Sequence, residues 1–126
     1  MSLQRTYILT GACFALASVT LGAFGAHALE SRLATAGTQA TWETAVDYQM
    51  WHALALLIVA SYKCAGRAQR LALLCFSIGI PLFSGSLYWL ALGGPRWLGP
   101  ITPLGGLAFI IGWAALIVAA LKMKHE

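Results

Sequence analysis

From Tyr7 to Ala26, from Leu71 to Leu92 and from Leu104 to Leu121 the chain contains no Asp, Glu, Lys or Arg. A fourth stretch, Ala45 to Tyr62, holds only Asp47, near its start. A helix needs about 20 predominantly apolar residues to cross the hydrocarbon core of a bilayer. Lipid offers no hydrogen-bond partner, so every backbone N–H and C=O in such a stretch must bond within the protein. Helices do this alone. Barrel strands would alternate apolar and polar residues, and no such alternation persists here. The sequence therefore predicts an all-α integral membrane bundle of four transmembrane helices, about 7–26, 45–62, 71–92 and 104–121.

Charge supports lipid over water as the solvent. Only 10% of the residues are charged, against about 25% in soluble domains, so most of the surface has to be covered by lipid. The 126 residues suit one domain, 1–126, with no separate soluble module. The net charge of +4 is spread along the chain. No run of Lys and Arg tracks phosphates, and no nucleic-acid partner is expected. Arg5 before an apolar run resembles a signal peptide. However, the run of about 18 residues exceeds the usual signal core of about 7–15, which predicts a retained first helix.

The basic residues set a direction. In a four-span arrangement Arg5, Lys63, Arg67, Arg70, Lys122 and Lys124 share one side, and Arg32 and Arg96 lie on the other. The positive-inside rule places the six in the cytoplasm, which gives N-in and C-in topology. The expected location is a plasma membrane crossed several times, with Glu30, Glu43 and Asp47 outside or at the outer boundary.

The connections differ in character. Lys63 to Arg70 reads as a short basic hairpin loop, and Gly93 to Pro103 as an ordered turn carrying Trp97 at the interface. The longest connection runs from His27 to Thr44, with a short surface helix over Leu29 to Leu33. Thr41 is expected to cap the second membrane helix, since its hydroxyl can accept from a free N–H in the first turn. Glu43 in that turn suits the positive end of the helix dipole. Pro81 should kink the third helix or open its backbone.

Small residues mark places of close approach. Gly11, Ala15, Ser18, Gly22 and Ala26 recur every three or four residues on the first helix, and Gly105 and Gly112 lie seven apart on the fourth. Such stripes let helix backbones pack together. The three cysteines form no CxxC pair, and an odd count argues against a disulfide framework. Cys13 and Cys75 read as small buried hydrophobes and Cys64 as a reduced loop thiol.

The polar residues at membrane depth are the most informative. Asp47, Tyr48, Gln49 and His52 lie in the outer half of the second helix, and Ser84, Ser86 and Tyr88 in the outer half of the third. His27 ends the first helix and Thr102 begins the fourth. Tyr48 and His52, four apart, share a helix face, as do Glu43 and Asp47. Two acids at that spacing repel unless a cation such as Arg32, His27 or His52 joins them. An ionisable group inside a bilayer is a candidate functional group. The competing structural account is that these groups hydrogen-bond across helices and fix the packing, and this account is favoured.

Other chemistry finds fewer parts. His52 with His27 would be the histidine pair for a metal or haem in the bundle core. No HxxxH or ExxH pattern accompanies them, so no metal ligands are assigned and any cofactor is unspecified. Asp47, His52 and Tyr88 would line a proton or small-solute path, but four short helices leave room for one only within an oligomer. There is no GxSxG motif and no phosphate loop, so no enzyme is expected and no catalytic residue is assigned.

GAFGAHAL at Gly22 to Leu29 and WETAVDYQMWHALALL at Trp42 to Leu57, followed by FSGSLYWLAL at Phe83 to Leu92 and GPITPLGGLAFIIGW at Gly99 to Trp113, carry a family likeness. Together they resemble the YgdD-like family of small bacterial inner-membrane proteins, domain-of-unknown-function family 423 (UPF0382). That family is in turn similar to a small eukaryotic transmembrane family. The resemblance covers nearly the whole chain. It implies a multi-span plasma-membrane protein whose molecular activity is not established. The family's signature positions fall here on Gly25, His27, Trp42, Tyr48, His52, Ser84, Ser86, Tyr88, Thr102, Pro103, Gly105 and Gly106. The expectation is a structural or accessory membrane protein with a polar layer near its outer face. The alternative is a binder of a small ligand, metal or redox cofactor, or a conduit formed as an oligomer. Beyond the lipid bilayer, the expected partners are a second copy of the chain or a larger membrane complex.

Overall fold

The computed structural model describes residues 1–62 and 66–124. Lys63 and Cys64, part of the expected basic loop, lie outside the described residues. Helix α1 spans Leu3–Ala26, α2 Glu30–Ala36, α3 Gln39–Ser61 and α4 Arg67–Ile80. A π-helical turn, Pro81–Gly85, joins α4 to α5, Ser86–Ala91. A short 3₁₀ turn, Arg96–Leu98, leads into α6, Ile101–Leu121. No strand occurs among the described residues, so the chain is all-α there.

Among the described residues, three helical units are long and apolar enough to cross a membrane: Leu3–Ala26, Arg67–Ala91 and Arg96–Leu121. The fourth expected span falls on α3, which has 23 residues but carries Glu43, Asp47, Gln49 and His52. Its place in the bundle accounts for that polarity. α1 packs mainly on α3, α6 packs mainly on α4, and α3 against α4 and α5 joins the two pairs. α3 is thus the inner helix, and its buried residues include Trp42, Gln49, His52, Leu56 and Val59. The peripheral helices turn large apolar side chains outward, among them Leu16, Val19, Ile110 and Ile117. Soluble monomers rarely expose so much contiguous apolar surface.

The helix ends follow local chemistry. The Ser2 side chain accepts from the Arg5 N–H at 3.2 Å and caps α1. α2 stops at Gly37, whose φ of 69° is the left-handed conformation that closes many helices. Hydroxyls on the outer surface of α1 bond within their own helix: Thr10 donates to the Thr6 carbonyl and Thr20 to the Leu16 carbonyl, both at 2.8 Å. This back-bonding hides a polar group from lipid without a partner helix.

Several sequence expectations shift. α3 begins at Gln39, six residues before the expected start at Ala45, with Thr38 at the cap position and Thr41 inside the helix. The Thr38 hydroxyl makes no cap; it donates to the Ala91 carbonyl at 2.8 Å. Glu43 accordingly lies outside the first turn. The short helix covers Glu30–Ala36 rather than Leu29–Leu33, and Leu33 is fully buried against Trp42 and Ala91. It is a surface helix held by one side chain: every residue of Glu30–Ala36 other than Leu33 is exposed, and Leu33 anchors it to the end of the bundle. Cys13 is exposed and Cys75 half-buried, because Cys13 points away from α3 toward the lipid side while Gly11 faces it.

Two apolar clusters result. The larger one unites Leu56 and Val59 of α3, Leu73, Phe76 and Ile80 of α4, and Phe109 of α6. The smaller one lies at the α2 end, around Leu33, Trp42 and Ala91. The buried polar residues lie between and among them.

Candidate functional site

At about 1.5 Å per residue, His52 sits roughly 20 Å along α3 from Gln39, twice the depth that a start at Ala45 implies. Its ring is flanked by Phe109, parallel at a centroid separation of 3.6 Å, and by Phe76 and Trp113 edge-on. His52 Nδ1 lies 2.7 Å from the Tyr48 carbonyl, which can only accept, so Nδ1 carries the proton. The Trp113 Nε1–H donates to Nε2 at 3.0 Å, so Nε2 is bare. The bonding pattern thus fixes a neutral imidazole in one tautomer. It also leaves no ring nitrogen free to bind a metal.

One turn earlier, the Gln49 amide N–H donates to the Phe14 carbonyl of α1 at 2.8 Å, and its Oε1 accepts from the Tyr88 hydroxyl of α5 at 2.7 Å. Gln49 therefore ties the two outer helices to α3 through one side chain. The Tyr88 ring stands edge-on to Trp42 at 4.8 Å, and the Trp42 indole donates to the Leu21 carbonyl at 2.9 Å. Ser18 donates to the Val46 carbonyl at 2.9 Å, and Ser84 to the Ala45 carbonyl at 2.7 Å. Most of these bonds end on backbone carbonyls of a neighbouring helix. A carbonyl keeps a second lone pair after its intrahelical bond, so it can serve as a lipid-free acceptor.

The π turn positions the next group. Pro81 has no N–H to donate, and through Gly85 the backbone hydrogen-bond step lengthens by one residue, which widens the helix. The Ser86 hydroxyl lies 2.6 Å from the Leu82 carbonyl, 2.9 Å from that of Phe83 and 2.6 Å from Thr102 Oγ1. One hydroxyl has one proton. Ser86 donates it to a carbonyl of the opened turn and accepts from Thr102 of α6. A side chain thereby fills the bonding left open in the widened backbone. Gly105 faces this turn: a Cβ there would collide with the Phe83 backbone.

The expected site residues separate into two groups. Tyr48, His52, Ser84, Ser86, Tyr88 and Thr102 come together through these bonds and stacks. His27, Glu43 and Asp47 are exposed at the α2 end. Glu43 and Asp47 border a cleft of ≈ 260 Å³ that Glu30 also lines, with Trp42 at its back. Arg32, the cation expected beside them, donates instead to the Leu92 carbonyl at 3.0 Å. His27 caps α1 with its backbone N–H. Among the described residues no three of His, Cys, Asp and Glu gather as a metal site would require.

Of the small residues, a Cβ at Gly25 would meet the Trp42 ring, one at Gly112 the Phe76 ring at 2.5 Å, and one at Gly11 the Ala53 carbonyl at 3.0 Å. A Cβ at Gly22 would lie 3.3 Å from the Val46 side chain, and one at Gly106 would make only ordinary contacts. Ala15 is half-buried. Nothing local in the sequence singles out the roles of Ser18, Gln49 and Trp113. Trp113 reads as one more apolar residue, yet a buried indole N–H needs an acceptor, and that need was the available signal.

A family model described as "Protein of unknown function (DUF423)" matches residues 21–106. The chain is 47% identical over 123 residues to a protein of Bacillus subtilis named UPF0382 membrane protein YwdK, covering 94% of this chain and 98% of that one. A Staphylococcus epidermidis UPF0382 membrane protein is 46% identical over 121 residues, with the same coverage. A fission yeast relative, from Schizosaccharomyces pombe and also named a UPF0382 membrane protein, is 37% identical over 123 residues, 94% of this chain and all of its own. No solved structure matches the chain.

Proposed function

Since the chain belongs to the DUF423 family of membrane proteins of unknown function, we propose that it acts as a non-catalytic accessory protein of the plasma membrane, its polar layer serving to lock the helices together. One observation carries this reading. Every buried polar side chain of the layer is bonded inside the protein: Ser18, Gln49, His52, Ser84 and Ser86 all have partners on named carbonyls or side chains. Chemistry on a substrate needs a group that is free to meet it, and these groups are engaged.

The same reading makes α3 a fourth span. Its exposed acids lie at the α2 end, and its deeper polar residues Gln49 and His52 are buried against the other helices rather than facing lipid. Arg5, Arg67, Arg70, Lys122 and Lys124 lie at the opposite end and draw it to the cytoplasm. In a variant lacking native cysteines, a cysteine at Gly37 should react with an impermeant reagent added to intact cells, and one at Ala68 should not. The reverse pattern would invert the topology.

The lock is tested on purified protein in mild detergent. We expect a featureless visible spectrum, no stoichiometric metal, and a lower unfolding temperature in His52→Ala. A Soret band or bound metal that vanishes in His52→Ala would overturn the reading in favour of a cofactor site.

A further inference from the structure

At the end of the bundle that holds both termini, α3, α4 and α6 enclose a cleft of ≈ 450 Å³, within the usual range for small-ligand sites. Its walls are Ala55, Ile58 and Val59 of α3 and Leu116, Ala119 and Ala120 of α6. The alanines make the space: larger side chains at these positions would fill it. Ile58 and Leu116 keep the walls apolar, and the exposure of Ile58 opens the cleft sideways to the surrounding lipid.

The mouth of the cleft is different. Tyr62, Gln69 and Met123 rim it, which brings the end of α3, the start of α4 and the end of α6 together there. Arg67 and Arg70 stand in the first turn of α4, and Lys122 and Lys124 follow α6, all four exposed. No acidic residue occurs in the first turn of α4, and Gly66 brings no side chain to cap it. The described acids, Glu30, Glu43 and Asp47, all lie at the far end of the bundle. A helix start without a capping side chain and without a carboxylate favours an anion.

Gln69 adds an independent feature. It is 7% exposed and donates to the Val59 carbonyl at 2.8 Å. Its Oε1 is buried and, among the described residues, has no hydrogen-bond partner. A buried acceptor without a donor calls for a hydroxyl or N–H from elsewhere.

We propose that this cleft binds one anionic phospholipid of the phosphatidylglycerol type. An acyl chain lies between α3 and α6, the phosphate meets Arg67, Arg70, Lys122 and Lys124, and a headgroup or glycerol hydroxyl supplies the donor that Gln69 lacks. The two requirements, an apolar body and a negative head with a hydroxyl, are met together by this lipid class. Basic pockets between membrane helices recognise anionic headgroups in this way. The inference goes beyond the accessory role and is independent of it.

The test is native mass spectrometry of the full chain with dioleoyl-phosphatidylglycerol and dioleoyl-phosphatidylcholine in equal amounts. We expect preferential retention of phosphatidylglycerol. The preference should fall about fivefold for each charge removed in Arg70→Gln and Lys122→Gln. It should stay unchanged in Arg32→Gln and Arg96→Gln, at the other end. Ala119→Phe, which fills the cleft, should lose bound phosphatidylglycerol while its unfolding temperature stays within a few degrees of the parent. Glycerol-1-phosphate should not compete, because it lacks the acyl chain. Equal retention of the two lipids would overturn the proposal. So would equal losses in the variants at both ends, or full competition by glycerol-1-phosphate.

Discussion

A histidine inside a membrane helix is costly unless both ring nitrogens find partners. His52 finds one on its own helix, the Tyr48 carbonyl, and one on α6, the Trp113 indole. The two partners contribute differently. Removing the indole N–H in Trp113→Phe keeps most of the ring packing, so the expected cost is about 0.6–1.7 kcal/mol, between the mean and the maximum found for hydrogen bonds between membrane helices. His52→Ala also empties the space against Phe109 and Phe76, and a loss of about 2–4 kcal/mol is expected. Reversible unfolding in mixed micelles reads both, and equal costs would show that the ring stack contributes nothing. From the sequence, the shared face of Tyr48 and His52 was legible because helical spacing alone sets it. The Trp113 bond was not, because it depends on the register between α3 and α6, which no local pattern encodes. The same limit hid the engagement of Gln49 with two helices at once.

At the scale of helices, α6 rests on the widened backbone of the π turn, and two adjacent glycines separate the causes. A Cβ at Gly105 would strike the Phe83 backbone, which cannot rotate aside, whereas a Cβ at Gly106 would lie 3.8 Å from the Phe83 ring. Gly105→Ala should therefore destabilise by about 1–3 kcal/mol, as overpacking does, and Gly106→Ala should be close to neutral. Thermal unfolding of the two variants side by side checks this; matching midpoints would mean that α6 does not rest on the π turn. Pro81 announced a disturbance in the sequence, since it lacks an N–H, and the form it takes is the turn Pro81–Gly85 with Ser86 and Thr102 beside it. The beginning of α3 was harder to read. Gln39 to Thr44 is polar enough to pass for a loop, and only the docking of α2, with Leu33 buried on Trp42, makes a helix there worthwhile.

For the molecule as a whole, α3 can be the most polar long helix because α1, α4 and α5 surround it. Tested alone between reporter domains, α3 should insert into membranes less completely than α1 or α6, which meet the length and apolarity of a span by themselves. Equal insertion of all three segments would remove the need for its neighbours. The apolar runs of the peripheral helices made the membrane assignment legible, because transfer into lipid sums over residues one by one. The wiring of the polar layer was not legible, because each bond joins residues far apart in sequence, such as Gln49 and Tyr88 or His52 and Trp113. The central claim is that these buried bonds hold the helices together. Its most direct measurement is a double-mutant cycle on Gln49→Leu and Tyr88→Phe, followed by equilibrium unfolding in micelles. The account predicts that the double variant loses less than the sum of the singles, with a coupling of about 0.6–1.7 kcal/mol. Strict additivity, with no coupling between the two side chains, would contradict it.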